Sequence, residues 1–217
     1  ITLTLSRKNV DKPIVVNLTR AIIKVKSVRH HLLEPNYGYI RVSQFQERTV
    51  AGINEAAKAL IKANKGAPLK GIILDLRDDP GGLLDGAVGV SAAFLPADAK
   101  VVSTKGRDGK EGMVLKARPE DYIRTSGRDP LADLPAELKT IPMTVLINSG
   151  SASASEIVAG ALQDHKRAVV VGTQSFGKGS VQTLIPLSNG SAVKLTTALY
   201  HTPNDRSIQA QGIVPDV

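Results

Sequence analysis

Apolar and polar positions alternate at the start of the chain, in Ile1–Leu5 and again in Pro13–Leu18, with the polar stretch Arg7–Lys12 between them. That spacing predicts a β-hairpin, a unit that is marginal by itself. Residues 19–34 read as connecting chain, and YGYIRV (Tyr37–Val42) as a strand. From Ser43 to Asn64 the period changes: Val50, Ile53, Ala56, Ala57, Leu60 and Ile61 recur at helical spacing, and Gly66-Ala67-Pro68 closes the segment. Gly71–Leu76 (GIILDL) is a short apolar run bounded by turn residues, as in a strand buried on both faces. Arg77–Gly82 (RDDPGG) predicts a turn and Leu83–Leu95 a second helix, stopped by Pro96. Lys100–Thr104 predicts a strand. The long, polar, poorly periodic stretch from Gly106 to Pro142 predicts an excursion or lid. Beyond it come a strand (Thr144–Ile147), a helix (Ser153–Asp164) and a strand (Ala168–Val171). A strand pair, Val181–Pro186 and Ser191–Tyr200, follows around Ser188-Asn189-Gly190, and then an irregular tail from Thr202. Alternating strands and helices predict a layered α/β fold.

Composition narrows the picture in three ways. At 217 residues and 42% hydrophobic content the chain can bury one large core or two small ones, and with 3% aromatic residues and no Trp that core is aliphatic. The absence of Cys excludes a disulfide framework, thiol catalysis and Cys-based zinc sites. No apolar run approaches the ~20 residues of a membrane-spanning helix. The chain opens on a strand-like run without an initiator Met, as a trimmed or mature piece of a longer protein would. The net charge of +8 is concentrated in residues 1–35, where seven basic side chains face two acidic ones. The remainder is close to balanced and poor in aromatics, so a solvated basic face near the N-terminus is favoured over a nucleic-acid-binding surface.

The candidate chemistry gathers between Ile141 and Val181. Ser153 lies between a predicted buried strand and a helix N-terminus, where α/β folds place their sites. Free N–H groups at that terminus could stabilise an oxyanion. The same residues, Ser153-Ala-Ser-Glu156, also match a capping box, and Ser151 and Ser155 are rival nucleophiles. A serine needs a base. The four histidines, His30, His31, His165 and His201, sit in no turn suited to catalysis. Lys178 does, framed by Gly177 and Gly179 with no acidic residue within six positions. To act as a base it must be neutral, which burial away from a carboxylate favours; the same residues fit an exposed turn lysine equally well. Gly172–Lys178 also fits the start of a phosphate loop, but Gly179 stands where Ser or Thr is needed and a strand-like run follows in place of a helix. Gln182, four residues on, could return towards Lys178 to orient it, or be an ordinary strand residue. Asp75, Asp78 and Asp79 lack the spacing of a calcium loop. The turn they occupy more readily serves as a frame, with the Gly81 and Gly82 amides free as oxyanion donors and Asp75 and Arg77 structural.

Taken together, Tyr37–Thr49 (YGYIRVSQFQERT), Gly71–Val88, Ile147–His165, Gly172–Thr183 and the end of the chain from Leu199 resemble the carboxyl-terminal processing peptidases, or tail-specific proteases. The resemblance implies a ClpP/crotonase-like layered protease core over residues 36–217. It also implies the last strands of a truncated PDZ domain over 1–20 and a linker over 21–35. It assigns Ser153 as nucleophile, Lys178 as general base and Gln182 as its support, with oxyanion donors at Ala154 and the Gly81–Gly82 turn, Gly82 preferred. No metal or cofactor is implied. Asp78-Asp79 departs from the asparagine common in the family, and Asp205 from its glycine. The implied partners are protein substrates with apolar C-terminal tails, with an adaptor, self-association and peripheral membrane contact as further expectations. The implied location is the bacterial periplasm or cell envelope. Two other readings stand beside this one. The first is a resting or non-catalytic module that binds C-terminal peptides. The second is an acyl-CoA enzyme of the crotonase-like fold, which would need an adenine pocket.

Overall fold

The computed structural model describes residues 1–21, 26–124 and 127–217. Five strands form the sheet that carries the site, in the order β3-β4-β5-β8-β9. They are β3 (Val28–Glu34), β4 (Tyr37–Val42), β5 (Gly71–Asp75), β8 (Met143–Ile147) and β9 (Val169–Gly172). β3 runs antiparallel to β4, and the other four are mutually parallel. A second, antiparallel sheet has the order β10-β11-β6-β7, with β6 (Lys100–Lys105), β7 (Glu111–Lys116), β10 (Ser180–Pro186) and β11 (Ala192–His201). The N-terminal strands β1 (Thr2–Leu5) and β2 (Ile14–Asn17) pair in the predicted hairpin, Thr2 opposite Asn17.

Parallel strands need crossovers, and the helices supply them. α1 (Thr49–Ala63) joins β4 to β5, α2 (Leu84–Phe94) leaves β5, and α4 (Ala154–Asp164) joins β8 to β9. α1 buries the stripe Val50, Ile53, Ala56, Ala57 and Leu60 that its spacing predicted. α2 is buried along nearly its whole length and packs on α1, α4 and β6, which makes it the centre of the helical layer. The core is aliphatic, with Ile40, Leu74, Leu76, Val145, Val158 and Leu162 at 0% exposure.

Three expectations differ from what is observed. The helix predicted from Ser43 begins only at Thr49, whose hydroxyl accepts the Gln46 N–H and donates to the Gln44 carbonyl. Residues before it stay extended because Phe45 pairs with the glycine turn: its N–H donates to the Gly81 carbonyl at 3.0 Å and its carbonyl accepts the Leu83 N–H at 2.9 Å. The segment read as a linker contains β3, an exposed edge strand whose VRHHLLE sequence lacks alternation, so residues 28–34 belong to the core sheet. Residues 22–25 of that segment lie outside the described residues. The stretch from Gly106 holds β7, the single helical turn α3 (Pro119–Tyr122) and a 3₁₀ turn (Ala136–Lys139), so it is a structured excursion.

The tail from Thr202 is irregular but fixed. Ile208 and Ile213 are buried, and the Asp216 and Val217 N–H groups donate to the Val170 carbonyl along the outer edge of β9. Because β5 is central and parallel on both sides, Leu74→Ala should leave an unfilled void. A loss of about 2–5 kcal/mol is expected, read as a lower urea midpoint with an unchanged slope.

Candidate active site

β5 and β8 run parallel in register, Asp75 beside Leu146, so the turns that follow them emerge side by side. One is Arg77–Gly82 and the other is Asn148–Ser153. Asn148 fastens them together. Its Oδ1 accepts the Asp78 N–H at 2.9 Å and its Nδ2 donates to Asp78 Oδ1 at 2.8 Å, which supports Asp78 at φ 60°. Ser151 sits between the turns, fully buried, donating to the Leu76 carbonyl at 2.8 Å and accepting the Asn148 N–H at 3.0 Å. Ser155 is equally buried and donates to the Asp79 carbonyl at 3.0 Å. Both rival serines therefore have their hydroxyls engaged in holding backbone.

Ser153 is partly exposed at the N-cap of α4, with φ 57° and ψ −111°. Such a backbone costs on the order of 1–3 kcal/mol in a non-glycine residue and persists only where its surroundings over-determine it. Here they do. The Ala152 N–H donates to the Asp79 carbonyl at 2.9 Å. The Ser153 N–H donates to Glu156 Oε2 at 2.7 Å. Gly81 presses on the other side, where a Cβ would lie 2.9 Å from both Ser153 Cβ and Ala154 N. The strand-to-helix elbow thus presents its hydroxyl residue at the start of a helix.

Glu156 does more than cap. Its carboxylate, at 0% exposure, takes four donors: the Ser153 N–H, the Ser175 hydroxyl at 2.6 Å, the Gly177 N–H at 2.6 Å and the Lys178 N–H at 2.9 Å. The Ser153 and Lys178 amides converge on the same oxygen, so a single buried group ties the elbow to the lysine loop. The glycines of that loop have their own cause. A Cβ on Gly177 would meet the Ala210 backbone at 3.1 Å, and one on Gly179 would meet Gln209 N at 2.3 Å. The tail packs backbone to backbone against the segment carrying Lys178, and the Ala210 N–H donates to the Gly177 carbonyl at 2.8 Å.

The Lys178 side chain is exposed, contrary to the burial expected of it, and among the described residues no carboxylate pairs with its amine. Gln182 directs its amide to Thr196 Oγ1 at 2.6 Å across the β10–β11 pair, so its hydrogen bonds run to the hairpin and not to Lys178. On the glycine turn the two amides differ. The Gly81 N–H donates to Asp79 Oδ1 at 2.8 Å, whereas among the described residues the exposed Gly82 N–H and the Ala154 N–H have no acceptor.

The three aspartates take separate tasks. Asp75 is buried and accepts from Tyr39, from Arg41 at 3.0 Å and from Arg77 at 2.8 Å. Burial would raise its pKa, but the donors from Arg77 and Tyr39 and the charge of Arg41 outweigh that and hold it at about 2. Asp78 is exposed beside Asn148. Asp79 is buried with one carboxyl oxygen unpartnered, and burial pushes it up to about 7 against the Gly81 hydrogen bond.

A layered α/β fold with a strained serine elbow beside a free-amide glycine turn defines a protein equipped for serine-nucleophile acyl chemistry. The chain belongs to peptidase family S41, whose family model matches residues 36–217. It is 50% identical over 217 residues to the carboxy-terminal-processing protease of Bartonella bacilliformis, covering all of this chain and 46% of that protein. Against the carboxyl-terminal-processing protease of a Synechocystis species it is 36% identical over 220 residues, again covering 46% of the relative. The solved photosystem II D1 C-terminal processing protease superposes with a TM-score of 0.72 at 30% identity, over 95% of this chain and 51% of that one. The chain therefore spans about half the length of the relatives it matches.

Sequence reasoning read Glu156 only as half of a capping box; the S-x-x-E spacing was the available signal, but its three remaining donors arrive from 19 to 22 residues away. Replacing Glu156 by Gln swaps an acceptor for an NH₂ group facing N–H donors. Glu156→Gln should cost about 1–3 kcal/mol of stability and on the order of 10²-fold in peptide cleavage through a misplaced elbow. Urea unfolding and steady-state assays on one preparation separate the two effects.

Proposed function

We propose that this chain is the catalytic region of a serine endopeptidase that cuts proteins near their C-termini, with Ser153 as nucleophile and Lys178 as general base. The observation that carries this reading is the shared Glu156 carboxylate, which holds the Ser153 and Lys178 backbones to one point. Neutral Lys178 takes the Ser153 proton as the hydroxyl attacks the scissile carbonyl. The Ala154 and Gly82 amides, without acceptors among the described residues, receive the oxyanion. Protonated Lys178 then gives its proton to the leaving amine. Water, activated by the same lysine, releases the acyl group and regenerates Ser153. The substrate tail binds as an added strand through main-chain hydrogen bonds, a mode that reads side chains loosely and suits small apolar tails.

The β1–β2 hairpin fits the role of the last strands of a PDZ-type peptide-recognition domain, since Leu3, Leu5 and Val15 stand exposed on a two-stranded unit. Family resemblance supports a place in the cell envelope. The names of the relatives support C-terminal processing as the activity.

A second reading, a resting state that holds tails without cutting them, is favoured by two observations: Lys178 is exposed, and Gln182 is turned towards Thr196. The two readings are separated by incubating the protein with an unstructured substrate bearing an apolar tail. The catalytic reading expects cleavage by the parent, none by Ser153→Ala, and a loss of about 10²–10⁴-fold in Lys178→Ala. Binding of the tail with no cleavage by the parent supports the resting state. Ser151→Ala keeps the nucleophile but strands two buried hydrogen-bond partners, so its main effect falls on stability. Cleavage that survives in Ser153→Ala but not in Ser151→Ala overturns the assignment.

A further inference from the structure

Asp79 touches both the glycine turn and the serine elbow. Its main-chain carbonyl accepts the Ala152 N–H at 2.9 Å and the Ser155 hydroxyl at 3.0 Å, which fixes the elbow on both sides of Ser153. Its carboxyl Oδ1 accepts the Gly81 N–H at 2.8 Å, which fixes the glycine turn. Gly81 in turn lies against the elbow, closely enough that no Cβ fits between them. The residue is at 0% exposure, and its Oδ2 has no hydrogen-bond partner. One N–H on Oδ1 meets the carbonyl oxygen of a neutral acid, and an uncharged O–H without an acceptor costs far less than a buried charge. A buried carboxylate requires several donors, and leaving one so poorly solvated is costly.

Resting on the assignment of Ser153 and the Gly82 amide proposed above, we infer that Asp79 is a positioning residue for the reaction: its neutral carboxyl holds the Gly81–Gly82 turn in its oxyanion-binding shape against the Ser153 elbow, and loss of its proton to water releases that shape. An ionised Asp79 would be a buried charge faced only by the Gly81 N–H and the Ser155 hydroxyl, so the turn must shift to bring it further donors or water. The charged groups on the surrounding elements do little to counter this. Arg41 on β4 favours the ionised form only weakly, because its guanidinium is already paired with Asp75 and Asp78. Arg77, in the same turn, is paired with Asp75. Asp85 at the start of α2 is paired with Arg124, and Glu156 on α4 is occupied by its four donors. With the proton leaving at about 7, the device works within the neutral range.

The sign is fixed by which state holds the proton. The folded carboxyl keeps it to higher pH than the unfolded one, so stability is full below the ordinary carboxylate range and falls as pH rises through about 7. Activity follows the same direction.

The experiment is the pH–rate profile of kcat and KM for peptide cleavage by the parent, Asp79→Asn and Asp79→Ala, with Ser153→Ala as the blank and circular dichroism at each pH. Asparagine keeps the acceptor for Gly81 and cannot ionise. A group titrating at about 7 is about nine-tenths ionised one pH unit higher. At pH 8 Asp79→Asn should therefore exceed the parent in kcat by roughly 10-fold while matching it at pH 6, with KM little changed. Asp79→Ala should be impaired at both values. The idea is overturned if Asp79→Asn retains the parent's pH dependence, if it is impaired at pH 6, or if Asp79→Ala matches the parent throughout. Failure of the underlying assignment is distinguishable, because it would appear as cleavage in the Ser153→Ala blank or as none in the parent at any pH. In that event the stability arm still decides: thermal midpoints of the parent should fall from pH 5 to pH 8 more steeply than those of Asp79→Asn, and parallel curves would sink the titration itself.

Discussion

The site depends on one buried carboxylate. Removing Glu156 from water costs several kcal/mol, and nothing cationic repays it among the described residues. What repays it is geometry: three backbone N–H groups and one hydroxyl, all directed at two oxygen atoms, at the positive end of a helix. That solution has a structural consequence. The elbow residue opens the crossover from β8 to β9 and the lysine loop follows β9 on the way to β10 in the second sheet, and the carboxylate is satisfied only when both arrive. The strained backbone of Ser153 is held by the same closure.

The lysine loop is fixed from its outer side by the tail. Gly177 and Gly179 lack side chains where the 208–213 segment crosses them, and Ser175 accepts the Ile213 N–H through its hydroxyl while donating to Glu156. A chain end that is irregular by pattern thereby acts as a wall of the site. It also covers the outer edge of β9 through Asp216 and Val217, so the β9 edge is not free to pair with another strand. The edge strand β10 starts two residues beyond Lys178 and carries exposed Leu184 and Ile185.

The turn after β5 divides acidic labour by solvation. Asp75, facing two guanidinium groups and a tyrosine, is held ionised. Asp79, four residues on, is buried with one N–H donor and is pushed towards the neutral acid. Similar residues in one turn thus differ in charge state because of what the turn and the neighbouring strand bring to them. Arg77, close to Asp75 in sequence, supplies the largest part of that difference, and Tyr39 and Arg41 on β4 add to it.

What could be read directly from the chain was whatever depends on local periodicity and local stereochemistry. The 3.6-residue stripe of α1, the doubly buried run of β5, the 81–82 glycine pair and the Ser153 helix start are of this kind, because the backbone preferences that produce them act over a few residues. β3 was not legible, since an exposed edge strand carries no alternation. Nor was the late start of α1, which is set by Phe45 pairing with Gly81 and Leu83 far along the chain. In the site, the serine and the lysine stood out by residue type and flanking glycines, but their surroundings did not. The lysine's exposure, Gln182 turning to Thr196, the four donors on Glu156 and the unpartnered oxygen of Asp79 are set by packing between segments that are not neighbours in sequence. Sequence by itself determined which groups could do chemistry and where chain direction changes, because those follow from covalent structure. Only the tertiary structure decided which of them are brought together, which are solvated and which carboxyl keeps its proton, because burial and hydrogen-bond partners are properties of the packed whole.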